Sequence, residues 1–263
     1  PLLLPSRAFA VAARAGVFNV GVEGEMYLGA IGAAWVGYTF TDLPGVVIII
    51  LALLFASLIG AAWAAIPGLL KVELGVNEVC TTILLNYVAI YITSYLVNGP
   101  LSAKTGVPQT PTVAASAKLT QFLKPSQAHM GLFIGIAVTI FVIWLLSRST
   151  IGYKFTSVGL NPKHAEYMGI DPKKGMLAAI MMSGLIGGLT GGLEVLGTYG
   201  YFLGGFSAGI AFDGMLASLI VKNDIKMVSF MAFFVAVLKS GALGIERYTG
   251  VPKSIVDMII AIF

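Results

Sequence analysis

The stretch Gly45-Val-Val-Ile-Ile-Ile-Leu-Ala-Leu-Leu-Phe-Ala-Ser-Leu-Ile-Gly-Ala-Ala-Trp-Ala-Ala-Ile66 contains no charged residue. A helix needs about 20 apolar residues to cross the hydrocarbon core of a bilayer, so this run is long enough to span it. The whole chain has the same character, because 57% of its residues are hydrophobic, 11% are charged, and the mean hydropathy is +0.92. Soluble domains contain about 25% charged residues, which excludes a single soluble core. We therefore predict an all-α, polytopic membrane helix bundle.

Hydropathy divides the chain into full-length and partial membrane helices. The full-length candidates are 17–40, 44–66, 78–98, 131–147, 175–197 and 226–244, and the partial ones are 1–14, 208–221 and 254–263. A helix over 208–221 is about 21 Å long, too short to cross ~30 Å of hydrocarbon, so we predict a half-helix or a re-entrant element there. The chain opens at Pro1 without a targeting signal and closes at Phe263 within an apolar run, and we expect the native protein to continue beyond both ends.

Lysine and arginine indicate which side of the membrane each loop occupies. The segments 67–77, 148–174 and 222–226, taken with the N-terminal segment, carry ten of these residues, and the segments on the opposite side carry five. Inner loops are enriched in positive charge, so the first group is predicted to be cytoplasmic. Lys239 lies inside a predicted span, where it either reaches the interface or faces a cavity. We predict a multi-pass protein of the cell membrane.

A second stretch, Gly16-Val-Phe-Asn-Val-Gly-Val-Glu-Gly-Glu-Met-Tyr-Leu-Gly-Ala30, sets Asn19, Glu23 and Glu25 among glycines at the start of an apolar helix. Intramembrane acids often mark a transport path, whereas acids at a helix N-terminus are also favoured by the helix dipole. The residues alone leave both explanations open. In a partial internal repeat, Phe212-Asp-Gly214 again sets an acid and a glycine before an apolar run, which favours helix-entry elements in two repeats that border a path. Many transporters place their site between such repeated, glycine-interrupted segments.

Other polar residues also interrupt apolar runs. Asn77 is a candidate N-cap, and Glu78, Thr82 and Asn86 follow at helical spacing, so they share a face that must meet protein or water rather than lipid. Cys80 is expected to be a small buried hydrophobe. The span 175–197 is predicted to pack closely through glycines at positions 184, 187, 188, 191 and 192.

Two loops are longer than simple connectors. The outer loop 98–130 is either a docking surface or loosely ordered. In the inner loop 149–172, Asn161 before Pro162 predicts a helix start, residues 163–168 can form about two turns, and Gly169 is a natural stop. This short helix either presents side chains to a partner on the cytoplasmic face or only connects two spans.

Motifs of enzyme chemistry are missing from the sequence. It contains no phosphate-binding loop, no HExxH zinc motif, no Cys/His cluster and no nucleophile elbow. His129 and His164 lie in predicted loops, and neither is beside a plausible nucleophile. We predict no catalysis and no metal site in this chain. Since no dense basic cluster occurs, we also predict no nucleic-acid partner.

Three separated segments resemble one transporter family. They are Arg14-Ala-Gly-Val-Phe-Asn-Val-Gly-Val-Glu-Gly-Glu-Met-Tyr-Leu-Gly-Ala30, Val76-Asn-Glu-Val-Cys-Thr-Thr-Ile-Leu-Leu-Asn-Tyr-Val-Ala89 and Val158-Gly-Leu-Asn-Pro-Lys-His-Ala-Glu-Tyr-Met-Gly-Ile170. They resemble the permease subunits of bacterial ABC importers of the ribose/branched-chain amino acid type. The second segment is similar to the nucleoside and simple-sugar branch. The resemblance covers nearly the whole chain, although position 25, commonly Gln in the family, is Glu here.

The resemblance implies one permease domain over 1–263, whose segment 158–170 is a coupling helix that docks on a separate ATP-binding subunit. That subunit hydrolyses ATP, so the permease itself is implied to have no cofactor. A second permease subunit, more often a different chain than an identical one, and an extracytoplasmic substrate-binding lipoprotein complete the implied importer. The lipoprotein docks outside, in part on 98–130. The docking residues that the motif implies are Gly159, Asn161, Pro162, Ala165, Met168, Gly169 and Ile170.

The cargo that the resemblance implies is a nucleoside, with purine nucleosides favoured, and it is moved across the bacterial inner membrane by alternating access. Such an uncharged solute needs hydrogen-bonding partners and aromatic surfaces. The predicted pathway residues are Phe18, Asn19, Glu23, Tyr27, Asn86, Tyr87, Phe212 and Asp213. Ribose or another simple sugar is the alternative cargo. From other classes, the alternatives are an ion-coupled secondary transporter, with Glu23, Asp213 and Glu194 as its relay, and a membrane scaffold; neither needs a docking helix.

Overall fold

The structure is a computed structural model, described over residues 1–123, 128–249 and 258. Its helices are α1 (Leu3–Arg14), α2 (Val22–Thr39), α3 (Gly45–Leu74), α4 (Glu78–Asn98), α5 (Gly131–Arg148), α6 (Thr150–Leu160), α7 (Pro162–Tyr167), α8 (Pro172–Glu194), α9 (Ile210–Ile220) and α10 (Met227–Thr249). A π-helical turn, Val195–Tyr199, extends α8, and a 3₁₀ turn covers Ala115–Ala117. The strands β1 (Gln121–Leu123) and β2 (Ala128–His129) form an antiparallel pair.

The prediction of an all-α, polytopic membrane bundle is confirmed. Among the described residues, α3, α4, α5 and α8 with its π-helical extension are long and apolar enough to cross a membrane. The helix α9 is shorter, as predicted for 208–221, and α10 is apolar over Met227–Ala242. The predicted segment 254–263 lies outside the described residues, apart from Met258.

Two predicted boundaries were wrong. The helix α3 runs on to Leu74, so 67–74 is not part of a loop. Pro67 lies inside this helix although it has no backbone N–H to donate, and it is buried next to Gly68, where a Cβ would lie 2.6 Å from Ile180 Cγ2 of α8. The predicted span 17–40 begins only at Val22, because Gly16, with a φ of +73°, starts a loop that continues to Gly21.

The glycine face predicted for 175–197 is confirmed as the centre of the bundle. A Cβ on Gly188 would lie 2.1 Å from the carbonyl oxygen of Ala56 in α3, and one on Gly191 would lie 2.0 Å from that of Met26 in α2. No side chain fits in either place. The missing side chains thus allow three helix backbones to approach closely, as is typical of membrane helices.

The short helix α1 is enclosed within the bundle. It packs on α8, α9, α10 and α5, and its residues from Leu4 to Ala12 are buried. Arg7 is fully buried, and its guanidinium donates hydrogen bonds to the carbonyl oxygen of Ile225 and to Ser229 Oγ. The first helix of the chain therefore holds the turn between α9 and α10.

The outer segment that follows α4 is ordered and tied to the bundle. Thr110 N donates to Phe202 O at 3.0 Å, Ala114 N to Gly37 O at 2.9 Å, and Leu119 N to Leu196 O at 2.9 Å. The alternative of a loosely ordered loop is therefore wrong for the described part of 98–130. Its backbone forms hydrogen bonds with residues that are distant in the sequence. The composition of the loop could not predict these contacts.

Candidate functional site

The loop before α2 is organised around Asn19, whose side chain is fully buried. Its Nδ2 donates to Glu25 Oε1 at 2.8 Å and to Ser183 Oγ at 2.9 Å, while its Oδ1 accepts from Gly21 N at 3.0 Å. One amide therefore links the loop, the first turn of α2 and the middle of α8.

Asn86 joins α4 to the same region. Its Oδ1 accepts from Gly24 N at 2.8 Å, and its Nδ2 donates to Val20 O at 2.9 Å. On the same face, Thr82 is fully buried and Glu78 forms an ion pair of 2.7 Å with Lys71. The prediction that this polar face meets protein rather than lipid is confirmed. The predicted N-cap is also confirmed, since Asn77 Oδ1 accepts from Val79 N at 2.9 Å.

The two halves of the internal repeat meet through Glu23. Its Oε2 accepts a hydrogen bond of 3.0 Å from Ala211 N, at the start of α9. The residue before α9, Gly209, has a φ of +90° and caps none of the helix N–H groups with a side chain. A carboxylate at this helix N-terminus is also favoured by the helix dipole. Both explanations of the acid in the sequence therefore apply, but the helix that Glu23 stabilises is α9 rather than its own.

The second acid of the repeat, Asp213, forms an ion pair of 2.5 Å with Lys239 of α10. Both side chains are largely buried. Lys239 thus turns to the interior of the bundle. We expected it to reach the interface or to face a cavity, and it is instead paired with Asp213. Pairing is the usual condition for a charge at membrane depth.

Glu25 lies deepest of the acids and is 1% exposed. Its Oε1 accepts from Asn19, whereas its Oε2 has no hydrogen-bond partner among the described residues. That oxygen points at Gly187, where a Cβ would approach it to 2.6 Å. The side chain therefore fills the space that a glycine of α8 leaves open.

The predicted aromatic residues divide into a buried and an exposed group. Tyr27 is 5% exposed and packs against the Phe206 ring, with centroids 5.0 Å apart. In contrast, Phe18, Tyr87 and Phe212 are exposed at the surface of the chain. The structure thus brings Asn19, Glu23, Tyr27 and Asn86 together inside the bundle, around the start of α2. The other predicted aromatic side chains lie at the surface, where the Phe18 ring also packs edge-on against Phe9.

A cavity of about 460 Å³ lies next to strand β2, between α1, α5, α8 and α9. A chain of hydrogen bonds crosses its wall: Thr198 Oγ1 donates to Glu194 Oε2 at 3.1 Å and lies 3.4 Å from His129 Nε2, while His129 Nδ1 accepts from Gly131 N at 3.1 Å. Burial lowers the pKa of His129, although the nearby Glu194 opposes this shift. A neutral ring that accepts at Nδ1 carries its proton at Nε2, so it can donate to Thr198.

The helix predicted in the inner loop is present as α7. Asn161 Oδ1 accepts from His164 N at 3.1 Å, and Gly169, with a φ of +76°, ends the helix as expected. Residues 158–160 belong to α6 instead. Ala165 is fully buried, but Tyr167 is 88% exposed. The helix therefore rests on one small side chain and presents large ones to its surroundings.

Comparison with known proteins gives a family match along the whole chain. The family described as "Branched-chain amino acid transport system / permease component" matches residues 1–263. The chain belongs to this permease family. It is therefore a transport subunit and a multi-pass protein of the cell membrane, not a catalytic chain.

The permease is similar to several transporters along its full length. It is 35% identical to the guanosine ABC transporter permease NupP of Bacillus subtilis, with 100% of this chain and 76% of the relative covered. It is 32% identical to the glucose ABC transporter permease TsgB13 of Haloferax volcanii, covering 100% and 72%. It is 30% identical to the nucleoside ABC transporter permease NupB of Lactococcus lactis, covering 99% and 74%. No solved structure matches the permease.

Several polar contacts of the permease were not expected from the sequence. Ser183 and Thr198 were not singled out in the sequence, and each meets a residue of another element, Asn19 for Ser183 and His129 for Thr198. Cys80 was expected to be buried and is exposed on α4. A signal for this last error was present: Tyr87, Tyr91 and Tyr95 follow Cys80 at helical spacing, which marks a face unlike that of a buried helix.

Proposed function

We propose that this permease is the membrane subunit of an ABC importer that carries nucleosides across the bacterial inner membrane. Purine nucleosides are the cargo that we propose within this class. The observation that carries the proposal is the 35% identity to a guanosine permease over 100% of this chain. A second relative named for nucleosides, at 30% identity, supports it. An ABC transport system also includes ATP-binding and substrate-binding components.

The charges inside the bundle agree with an uncharged cargo. Glu23 stabilises the start of α9, and Asp213 and Lys239 neutralise one another. A solute that carries hydroxyl groups and a heterocyclic ring needs hydrogen bonds and aromatic surfaces instead. The same contacts speak against an ion-coupled relay through Glu23 and Asp213, because these side chains hold helices in place.

The helix α7 suits the docking of an ATP-binding subunit. It presents Tyr167 and Met168 outward, and its position is fixed by caps at both ends. The proposed docking set is Gly159, Asn161, Pro162, Ala165, Met168, Gly169 and Ile170. ATP hydrolysis takes place on the docked subunit, so the permease needs no cofactor, and movement of α7 changes the side to which the path opens.

Two further partners complete the proposed importer. A second permease, in our proposal a different but related chain, shares the path, and a substrate-binding lipoprotein docks on the outer surface, in part on 98–130. The order of this outer segment, which is bonded to α2 and to the end of α8, supports a defined docking surface.

Uptake measurements test the cargo. Cells that express the complete importer are expected to accumulate radiolabelled guanosine, and excess unlabelled adenosine is expected to compete while excess glucose or ribose does not. Accumulation of glucose alone would contradict the nucleoside assignment. That outcome is the second candidate function, a simple-sugar importer, which the 32% identity to a glucose permease favours.

A separate measurement tests the coupling role. Replacement of residues 165–169 by a flexible glycine and serine linker is expected to abolish co-purification with the ATP-binding subunit. The same replacement of residues 102–106 in the exposed outer loop is the control and is expected to leave co-purification unchanged. Uptake that persists without ATP and follows a proton gradient would contradict an ABC importer.

A further inference from the structure

The outward face of α4 is the unusual surface of this permease. Tyr87, Tyr91 and Tyr95 are 59%, 72% and 73% exposed. They recur every four residues, so the three rings stack along one face, about 6 Å apart along the helix axis. Cys80 and Ser94 lie exposed on the same side of the helix. We call this surface the tyrosine face.

The outward faces of the neighbouring spans are different. Every exposed side chain of α3 between Val46 and Leu69 is apolar, and so is every exposed side chain of α5 between Leu132 and Trp144. These faces have the composition of lipid-facing helices. The outward surface of α4 also exposes Ile83, Leu84, Val88 and Ile92, so what sets it apart from α3 and α5 is its three phenol groups.

The depth of the phenol groups makes the same point. Tyrosine is common at both membrane interfaces, where its hydroxyl meets water or lipid headgroups. Tyr91, however, lies 13 residues, or about 20 Å, along a helix whose 21 residues extend for about 31 Å. No described residue accepts a hydrogen bond from the hydroxyl groups of Tyr87, Tyr91 or Tyr95. A hydroxyl group without a partner in hydrocarbon is unfavourable, so this face requires water or polar groups.

We propose that the tyrosine face lines the water-filled path of the assembled importer and that its rings stack on the flat heterocycle of the cargo. A ladder of rings about 6 Å apart offers successive contacts of similar strength, which lets a base pass from one to the next. Stacking on aromatic side chains tolerates different bases, because every base has a π-face. The identity of the cargo rests on the proposed nucleoside function; the exposure of the face to water does not.

Thiol labelling tests the path without reference to any cargo. Cys80 is the only cysteine within residues 1–263, so Cys80→Ser, with any cysteine elsewhere in the importer also replaced by serine, provides a background without thiols. In the complete importer, Tyr91→Cys is compared with Ala62→Cys, which is exposed on α3 at about the same distance from the turn that joins α3 to α4. A charged, water-soluble methanethiosulfonate, supplied on both sides of the membrane, is expected to label position 91 at least 10-fold faster. Equal rates would overturn the proposal.

Assembly is controlled in the same samples by co-purification of the ATP-binding subunit. If Tyr91→Cys does not assemble, Tyr87→Cys takes its place, with the same expected result and the same contradicting one. Failure of both positions to react in an assembled importer would show that the face is sealed against lipid or another protein and would equally overturn the proposal.

Uptake by two further variants tests the stacking. Tyr91→Phe keeps the ring and is expected to retain guanosine uptake within about 2-fold, whereas Tyr91→Leu is expected to lose it about 10-fold. Equal uptake by both variants would overturn the stacking role. If the native importer carries glucose and not guanosine, the proposed function fails, while fast labelling at position 91 still identifies the wall of the path.

Discussion

The starts of α2 and α9 carry the same short pattern, an acid followed by a glycine, but the protein holds them in different ways. At α2, Gly24 lies against α4 and its N–H donates to Asn86. At α9, Gly214 lies against α1, and the N–H of Ala211 donates to Glu23 of α2. The first start is held by uncharged amides, and the second by acids that reach across helices.

The difference shows which of the two starts depends on charged contacts. The start of α2 is held by Asn86 of α4 and, through Asn19, by Ser183 of α8. The short helix α9 takes its support from α2 on one side and, through Asp213 and Lys239, from α10 on the other. A shift of either neighbour is therefore transmitted to α9, which makes α9 the better candidate for a moving part.

The largest effect is expected at the start of α2. Asn86→Ala leaves Gly24 N–H and Val20 C=O buried without a partner, and each such group costs about 1–3 kcal/mol, for a loss of about 2–6 kcal/mol. A lowered midpoint of thermal unfolding in detergent measures this. Thr93→Ala is the control, because this buried threonine bonds only to carbonyl groups of its own helix. An equal loss in both variants would contradict the role of Asn86.

An added methyl group is expected to destabilise the protein to different degrees at Gly214 and at Gly24. In Gly214→Ala, the new Cβ would lie 2.7 Å from Ser6 N and from Pro5 Cβ, so α9 must move away from α1, at a cost of about 1–3 kcal/mol. In Gly24→Ala, the contacts begin at 3.0 Å, and the expected loss is smaller. The folded fraction after size-exclusion chromatography compares the two variants. A greater loss of folded protein in Gly24→Ala than in Gly214→Ala would contradict this prediction.

The hydrogen bond between Glu23 of α2 and Ala211 of α9 is expected to contribute less to stability than the contacts described above. Glu23→Ala leaves the N–H of Ala211 unpaired, at a cost of about 1–2 kcal/mol, and should speed amide hydrogen exchange in the first turn of α9. Glu23→Gln keeps an oxygen acceptor and should restore most of the protection. It should also retain uptake; if Glu23→Gln abolished uptake while the protection of α9 stayed intact, a proton relay would be the better explanation.

The smallest effect is expected from the ion pair between α9 and α10. A double-mutant cycle with Asp213→Asn and Lys239→Met should give a coupling energy of about 0.5–1 kcal/mol, because both groups retain some exposure. Unfolding midpoints of the four proteins supply the value. A coupling energy of zero would remove α10 from the support of α9 and leave Glu23 as the more important contact.

The sequence predicted elements whose signals are local. The bounds of α4 follow from an apolar run with Asn77 before it, and α7 follows from Asn161-Pro162 and Gly169, whose effects act within a few residues. The fold class followed from composition. The end of α3 did not, because a proline usually ends a helix, whereas α3 continues through Pro67 to Leu74.

The sequence predicted which residues belong to the candidate site, but not which contacts they make. Asn19, Glu23 and Asn86 were singled out as polar groups in apolar surroundings, and each proves to be buried. Their partners could not be deduced, since Glu23 and Ala211 are separated by 188 positions and nothing near either residue specifies the other. The pathway role of these residues stays a prediction.

The burial of Arg7 has a consequence for biosynthesis. Its guanidinium meets Ile225, 218 positions later in the chain, and Ser229 beyond it. At about 5–20 residues per second, the ribosome needs roughly 10–40 s to reach those partners after it has made α1. During that interval, the cation of α1 lies at the membrane without these two partners. The buried contacts of α1 can therefore form only after the turn before α10 has been made.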